Sequence, residues 1–174
     1  MGRKTVEGYL EILEDLLLSF RLPVFTRRAK RHLVAHDKFF YFDAGVYRSI
    51  RPKGPLDSPE DIEGKALEGL IAQHLRALAS YRNVPAELSY RRTKSGSEVD
   101  FVVYGDDVFV AIEVKRSRHV NNTDLRALKA FKEDYPEAQL CLLYMGHEAT
   151  KMGEVLCLPC DTFLKKLNPE GPIL

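Results

Sequence analysis

Charged side chains interrupt two stretches of sequence that otherwise have the pattern of β-strands. Asp100 lies in the alternating segment of residues 97–104, and Glu113 and Lys115 end the apolar run of residues 109–115. Strand stability alone does not explain them, because charged groups are costly to bury. Carboxylate oxygens are ligands for Mg²⁺ or Mn²⁺, and an adjacent ammonium group can orient a metal-bound water for attack on phosphorus. These residue types predict metal-dependent hydrolysis of a phosphodiester bond.

The length of the turn between the two strands decides whether the carboxylates meet. If residues 106–107 form a two-residue loop, Asp100 lies opposite Glu113 and Glu98 lies opposite Lys115. A four-residue loop gives the same register, whereas a three-residue loop places Asp100 and Glu113 on opposite faces. In the favoured register their Cβ atoms are about 5 Å apart, where like charges destabilise a sheet. Lys115, on the same face, is the predicted compensating cation.

A third carboxylate, Glu68, lies on a helix predicted over residues 60–81. Ser58 or Asp57 is the expected N-cap, and Pro59 is near the first turn. At about 100° per residue, Glu68 lies about 20° from Leu75, at the edge of the apolar stripe of this helix. Glu68 therefore either faces the sheet and joins a metal site or extends outward to solvent, and the pattern leaves both alternatives open.

In order and context these residues resemble a known nuclease signature. Glu68 on a helix, Asp100 on a hairpin strand, and Glu113-Val114-Lys115 at the end of an apolar strand resemble the PD-(D/E)XK, restriction-endonuclease-like signature. The resemblance implies that Asp100, Glu113 and Glu68 hold Mg²⁺ or Mn²⁺. It implies that Lys115 positions the attacking water and stabilises the developing charge. One departure is that valine stands where the signature has proline before the aspartate.

The wider sequence is similar to the C-terminal region of a group of prokaryotic AAA-type ATPases. The similarity runs from residues 5–10 through residues 40–45 to residues 97–101. In that group a nuclease-like domain follows an ATPase domain and a winged helix. The resemblance therefore implies a partial winged-helix module in residues 1–53 and a PD-(D/E)XK nuclease-like domain in residues 54–174. The proline-rich residues 51–60 are the expected linker.

The sequence contains no G-x-x-x-x-G-K-[ST] phosphate loop, so no ATP site is expected within the chain. Two alternatives follow from the resemblance. The chain is either a fragment of a longer ATPase, whose N-terminal ATPase domain is then a partner, or a stand-alone remnant. A start inside a winged helix favours the fragment.

The first 53 residues have the pattern of a helix followed by a basic two-stranded ribbon. An amphipathic helix is predicted over residues 5–20 with Thr5 as N-cap, and strands over residues 22–26 and 38–42. Basic residues between these strands, together with two near the acidic set, are candidate DNA contacts. They are Arg27, Arg28, Lys30, Arg31, Arg92 and Arg116. A solvated basic turn is the alternative explanation for such residues.

Composition argues against a membrane-spanning protein and a secreted disulfide scaffold. No apolar run approaches the roughly 18 residues that a bilayer crossing needs. The net charge of +1 combines +5 in residues 1–53 with −4 in residues 54–174, so near-neutrality is no evidence against DNA. Three cysteines suit a reducing compartment, and a cytoplasmic location is predicted. Cys157 and Cys160 have C-x-x-C spacing, but without a second ligand pair they are better explained as buried apolar residues.

The order of predicted elements gives an α/β fold, a mixed sheet flanked by helices. Strict alternation along residues 98–104 places Val99, Phe101 and Val103 on one face and the polar residues on the other. Two functions are carried forward. One is a metal-dependent nuclease acting on DNA. The alternative is a catalytically silent nucleic-acid- or protein-binding module that regulates an attached ATPase.

Overall fold

The structure is a computed structural model that describes residues 2–51, 54–55 and 57–174. Within these ranges the helices are α1 (Arg3–Asp15), α2 (Ala44–Ile50), α3 (Pro59–Tyr81), α4 (Arg126–Asp134) and α5 (Cys160–Lys166). The strands are β1 (Ser19–Leu22), β2 (Lys38–Tyr41), β3 (Ala86–Arg92), β4 (Glu98–Gly105), β5 (Phe109–Lys115), β6 (Gln139–Tyr144), β7 (Thr150–Met152) and β8 (Val155–Pro159). No helix in the described ranges combines the length and apolarity that a membrane crossing requires.

Six strands form a mixed sheet in the order β3-β4-β5-β6-β8-β7, which confirms the predicted α/β fold. Strands β3, β4 and β5 run antiparallel, whereas β5, β6 and β8 are parallel. Parallel neighbours need a crossover connection, and α4 supplies it between β5 and β6. Strand β7 closes the far edge antiparallel to β8. Strands β1 and β2 form a separate antiparallel pair.

Apolar layers cover both faces of the sheet. On the α3 face, helices α3 and α5 and the β1–β2 pair pack on the sheet through Phe20, Phe40, Ile71, Leu75, Phe101, Ile112 and Phe163. On the α4 face, helix α4 packs through Val102, Ala111, Leu128, Phe131 and Leu142. Any charged side chain that leaves the central strands is therefore largely shielded from water.

The β1–β2 pair packs directly against the sheet. Phe20 pairs with Phe40, and their rings stack at 5.5 Å in the core of the α3 face. The segment between the two strands runs along the outer edge of β3, where Phe25 donates its amide hydrogen to the Tyr90 carbonyl at 2.7 Å. The Val34 amide likewise donates to the Arg92 carbonyl at 3.0 Å. The segment thus covers a strand edge that would otherwise be open to aggregation. The winged-helix origin of residues 1–53 and the division after residue 53 stay predictions.

The β4–β5 hairpin has the predicted register. Phe101 pairs with Ile112, so one residue further Asp100 lies opposite Glu113. The Gly105 amide donates to the carbonyl of residue 108 at 2.8 Å, which makes residues 106–107 the loop. The two-residue loop is confirmed, and the three-residue loop that would separate the carboxylates is excluded.

The predicted strict alternation along β4 is wrong at Val99. The β3–β4 register shifts between Ser89–Val102 and Arg91–Val99, which leaves one extra residue on β4. Val99 consequently packs on the α4 face, whereas Phe101 packs on the α3 face. An extra residue of this kind is a β-bulge, which bends the strand and re-aims its side chains. The bulge falls beside Asp100.

Several element boundaries also differ from the sequence prediction. Helix α1 begins at Arg3 with Gly2 in the N-cap position, so Thr5 is not the cap, and the first strand starts at Ser19. Helix α2 was not predicted, and the Asp43 side chain caps it by accepting from the Val46 amide at 2.8 Å. The short edge strand β7 was also missed. Parts of the predicted linker, residues 52–53 and 56, lie outside the described residues.

The long helix α3 is confirmed together with its cap. It spans Pro59–Tyr81, and the Ser58 hydroxyl accepts a hydrogen bond from the Asp61 amide at 3.0 Å. Pro59 fits the first turn because its missing N–H would have no partner within the helix there. This cap fixes the start of the helix and therefore the angular position of Glu68.

Candidate functional site

Helix α3 delivers Glu68 to the edge of the sheet. Residue Glu68 is only 5% exposed, so the sheet-facing alternative of the sequence prediction is the observed one. Its Oε2 accepts a hydrogen bond from Lys65, one turn earlier on the same helix, at 2.9 Å. Burial acts to raise the pKa of Glu68, but the charges and hydrogen bonds of Lys38 and Lys65 outweigh it and lower that pKa. Glu68 is thus a buried carboxylate that its lysine neighbours keep ionised.

Asp100 is fixed by the backbone of the neighbouring strand. Its Oδ2 accepts a hydrogen bond from the Val114 amide at 2.9 Å, which bridges β4 to β5. Burial raises the pKa of Asp100 to about 6, and the charge of Glu68 adds to the rise. The side chain is therefore held rigidly in a site where its negative charge is unfavourable without a further cation.

Glu113 and Lys115 form a contact pair at the end of β5. The Lys115 Nζ donates to Glu113 Oε1 at 2.7 Å, as the compensating role predicted for this lysine requires. Burial raises the pKa of Glu113 to about 8, and the neighbouring charge of Asp100 adds to the rise. The other oxygen, Glu113 Oε2, is buried without a hydrogen-bond partner among the described residues. An unsatisfied buried carboxylate oxygen is costly in a purely structural role.

Two further residues that were not predicted as site members complete the centre. Lys38, the first residue of β2, places its Nζ against Glu68 Oε1 and Glu98 Oε1, and 3.5 Å from Asp100 Oδ1. Glu98 begins β4 and also contacts Arg92 at 3.5 Å. Burial acts to lower the pKa of Lys38, but the charges of Glu68 and Asp100 outweigh it and raise that pKa. Lys38 is therefore held as an ammonium ion among three carboxylates.

The carboxylates around Lys38 have the spacing of a cation site. One oxygen from each of Glu68, Glu98 and Asp100 lies within 4.8 Å of the others. An all-oxygen donor set of this kind suits Mg²⁺ or Mn²⁺, which complete their shells with water and substrate oxygens. The structure thus brings together two of the three predicted ligands, Asp100 and Glu68, and adds Glu98. Glu113 lies beside this group, paired with Lys115.

A cavity of 370 Å³ opens directly beside the centre. Lys38 and Glu98 form part of its wall, and Arg92, Thr93 and Lys94 form another part. A substrate group reaching the carboxylates from this side would pass two exposed basic side chains. Asp37 also lines this cavity, so the approach to the acidic centre carries both basic and acidic side chains.

The structure places the predicted DNA-contacting residues in two different regions of the molecule. Three arginines of the segment between β1 and β2 pair with acidic residues: Arg27 with Glu87 at 3.3 Å, Arg28 with Glu137 at 3.7 Å, and Arg31 with Glu133 at 2.8 Å. Lys30 and Arg116 are exposed. Arg92 contacts Glu98 of the carboxylate centre at 3.5 Å, and Arg116 directly follows Lys115 in the chain, whereas Arg31 reaches α4. A DNA-contacting role for these residues stays a prediction.

The C-x-x-C pair lies in the core. Cys157 packs on the α4 face and Cys160 on the α3 face, so the two side chains belong to different apolar layers. All three cysteines are free and buried, and burial raises the pKa of the Cys160 thiol to about 11. The preference for apolar packing over redox or metal chemistry is consistent with this placement.

The fold and the site together define an α/β protein with a buried carboxylate–lysine centre at one end of a mixed sheet. A family model described as a domain of unknown function (DUF4143) matches residues 63–163, and another, DUF8612, matches residues 1–57. The first match spans more than half of the chain, so the chain belongs to the DUF4143 family. The matched segment contains most of α3 and all of β3, β4 and β5, and therefore Glu68, Glu98, Asp100, Glu113 and Lys115. No curated protein and no solved structure matches the chain.

Proposed function

We propose that the protein is a divalent-metal-dependent nuclease with a PD-(D/E)XK-type centre, acting on DNA. The observation that carries the proposal is the convergence of Glu68 from α3 and Asp100 from β4 beside the Glu113–Lys115 pair of β5. The resemblance of these residues to the nuclease signature supports the same function. Fold alone would not, because one fold hosts many functions.

The residues divide the chemistry of phosphodiester hydrolysis among them. Glu68, Glu98 and Asp100 would hold Mg²⁺ or Mn²⁺, and Glu113 would add a further carboxylate beside them. When bound, such an ion lowers the pKa of water and neutralises charge on the phosphate. Lys115, held by Glu113, would orient the attacking water and stabilise the negative charge that develops on the phosphoryl oxygens. The Val114 amide keeps Asp100 in place for its ligand role.

We further propose that the substrate approaches through the cavity lined by Arg92 and Lys94, and that the exposed Arg116, which follows Lys115 in the chain, contributes a further phosphate contact. Basic side chains on such a path would contact phosphates without reading sequence. The similarity of the sequence to the C-terminal region of AAA-type ATPases supports an ATPase domain as partner. Under this proposal the ATPase domain binds ATP, for which this sequence has no phosphate-loop motif.

The proposal is tested by divalent-metal titration with a plasmid cleavage assay. Lys115→Ala and Asp100→Asn are each expected to lower cleavage by about 100-fold, the usual cost of losing one charge-stabilising group. Lys129→Ala and Asp106→Asn are the matched controls, since both residues are exposed and away from the centre. Unchanged cleavage in Lys115→Ala would assign the activity to another site or to a contaminant.

A second candidate function is a catalytically silent nucleic-acid- or protein-binding module of an ATPase. The position of Lys38 favours it, because an ammonium ion already neutralises the carboxylates that a metal would need. This alternative predicts that the wild-type chain binds a DNA duplex with salt-dependent affinity but cleaves it at no metal concentration. Fluorescence anisotropy and the cleavage assay on the same preparation separate the two functions.

A further inference from the structure

We infer that Lys38 and a divalent cation compete for one position, so that strand β2 carries a built-in inhibitor of metal loading. The inference rests on the proposed function, since it concerns regulation of the same centre. The inference is drawn from the position of the Lys38 ammonium group, which is enclosed by carboxylates of α3 and β4. These carboxylates lie within the segment that the DUF4143 model matches.

The position of Lys38 excludes joint occupancy. Its Nζ lies against oxygens of Glu68, Glu98 and Asp100, the same three residues whose oxygens have metal-site spacing. The Lys38 side chain is 16% exposed and that of Glu68 is 7% exposed, so little water separates the charges. An ion bonded to these oxygens at about 2.1 Å would overlap the ammonium group, and the two cations would repel each other.

A second observation is an unsatisfied carboxylate oxygen beside the three residues that surround Lys38. Glu113 is 6% exposed, and its Oε2 has no hydrogen-bond partner among the described residues. This oxygen belongs to the residue directly opposite Asp100 in the hairpin register. A lysine contributes a single charge, whereas a divalent ion contributes two and can bring ordered water to an unsatisfied oxygen.

Lys38 also has space into which it can withdraw. It lines the cavity of 370 Å³ beside Glu98 and a second cavity of 290 Å³ that Phe39, Tyr41 and Tyr47 help to enclose. It stands at the first position of β2, where only the residues after it belong to the strand. A four-carbon stem with free rotation can move the ammonium group into either cavity without moving the strand.

Metal loading is therefore expected to be weak in the wild-type chain and to be controlled by whatever holds Lys38. A substrate phosphate in the adjacent cavity is one group that would attract the ammonium ion away from the carboxylates. Under this arrangement the centre would fill only when both ligands are present. Lys38 acts on the metal through the carboxylates, so it is a regulatory residue and not a catalytic one.

Calorimetric titration with Mn²⁺ tests the inference without relying on activity. Lys38→Met removes the charge and keeps the stem length, and it is expected to bind Mn²⁺ at least tenfold more tightly than the wild type. Lys65→Met is the matched control, because Lys65 contacts Glu68 from the solvent side with a side chain that is 58% exposed. Its affinity is expected to change less than threefold. Lys38→Arg keeps the charge and is expected to bind no more tightly than the wild type.

A measurement on the wild-type protein covers the case in which Lys38→Met does not fold. The Nζ resonance of Lys38, followed by NMR during Mg²⁺ titration, is expected to lose its ion-pair protection as the metal binds. A Lys38 resonance that is unchanged while the backbone amide resonances of Asp100 and Glu98 shift with bound Mg²⁺ would overturn the inference.

The outcomes separate the inference from the function on which it rests. Equal Mn²⁺ affinity in the wild type and Lys38→Met, with binding abolished by Asp100→Asn, overturns the competition and leaves the metal site standing. Absence of Mn²⁺ binding in both proteins overturns the inference and the proposed metal-dependent activity together. Binding by Lys38→Met alone supports the competition and places the wild-type chain in its inhibited state.

Discussion

Two groups of buried charges lie on opposite faces of the same sheet, and they are built differently. On the α4 face, the Arg91 guanidinium pairs with Asp134, and Arg31 contacts the same carboxylate at 3.2 Å. On the α3 face, Glu68, Glu98 and Asp100 surround Lys38, and the Glu113–Lys115 pair lies beside them at the end of β5; together these residues are the carboxylate centre. Each group has a buried core, since Arg91 is 1% exposed and Glu68 is 5% exposed.

The difference between the two groups is one of charge balance and of mobility. Two guanidinium groups surround one carboxylate in the first, and the rings of Phe131 and Tyr135 lie 5.4 and 5.6 Å from the Arg91 guanidinium carbon. In the second, the flexible lysines Lys38 and Lys115 lie among four carboxylates, and the more exposed Lys65 and Arg92 contact this set from its rim. Planar arginine suits a permanent ion pair, and lysine suits a site whose charge must change. The first group stabilises the fold, and the second leaves it with unfavourable charge that function can use.

The largest predicted effect on stability comes from breaking the Arg91–Asp134 pair on the α4 face. Arg91→Met leaves Asp134 buried with only the rim contact to Arg31, and breaking a buried pair by removing one partner costs about 3–5 kcal/mol. Urea unfolding monitored by circular dichroism measures the loss. The double variant Arg91→Met/Asp134→Leu is expected to recover most of it, because no uncompensated charge remains. A loss below about 1 kcal/mol in the single variant would mean that this buried pair contributes no more to stability than a surface ion pair.

At the carboxylate centre a substitution is predicted to raise the stability of the protein, whereas at the α4-face pair it lowers it. The pKa of Glu113 is raised from 4.5 to about 8, so folded protein holds this proton more tightly than unfolded protein does. Its contribution to stability is complete below pH 4.5 and is lost as pH rises toward 8. Glu113→Gln removes the titration and is expected to be more stable than the wild type above pH 8 by at least about 1.4 kcal/mol, the equivalent of one pKa unit.

Thermal unfolding in chelator-containing buffer across this pH range checks the Glu113 prediction. Glu137→Gln, an exposed carboxylate on the far side of the sheet, is the control and should leave the pH profile unchanged. Parallel profiles for the wild type and Glu113→Gln would show that Lys115 already compensates the charge.

Much of the carboxylate centre could be predicted because its parts are local in sequence. The turn at residues 106–107 fixes the register of one hairpin, and the register alone sets Asp100 opposite Glu113. Helical periodicity placed Glu68 at the edge of its apolar stripe but could not choose its direction, since that depends on what packs against the helix. The mixed sheet flanked by helices followed from the order of helices and strands, although its edge strand β7 was missed.

The residues that sequence could not supply are those brought together over long distances. Lys38 lies 60 residues from Glu98 along the chain, and only the docking of the β1–β2 pair on the sheet joins them. Glu98 alternates with Asp100 along the strand, which was the one available signal for its membership. The β-bulge beside Asp100 and the edge-covering path of residues 23–34 likewise depend on tertiary contacts and have no local pattern.

A divalent metal should stabilise the carboxylate centre and leave the α4-face pair unaffected. At ten times its dissociation constant, Mn²⁺ is expected to raise the unfolding free energy by about 1.4 kcal/mol through binding to the native state alone. Asp100→Asn should abolish the increase, whereas Asp134→Asn, although destabilised, should retain it. Differential scanning fluorimetry against Mn²⁺ concentration measures both. Loss of the increase in Asp134→Asn would mean that the two groups are coupled through the sheet.

The smallest effect on stability is predicted in the basic segment between β1 and β2, where the charged side chains are exposed, unlike those of either buried group. Arg28 and Glu137 are 3.7 Å apart with side chains 85% and 64% exposed, and such pairs contribute about 0–1 kcal/mol. The unfolding free energy of Arg28→Gln should therefore be within about 0.5 kcal/mol of that of the wild type.

If the segment contacts DNA, the same variant should weaken binding to all sequences alike and reduce the salt dependence by about one released ion. Anisotropy titrations over a salt series test this, and an unchanged salt slope would assign Arg28 to the solvated turn that the sequence equally allows.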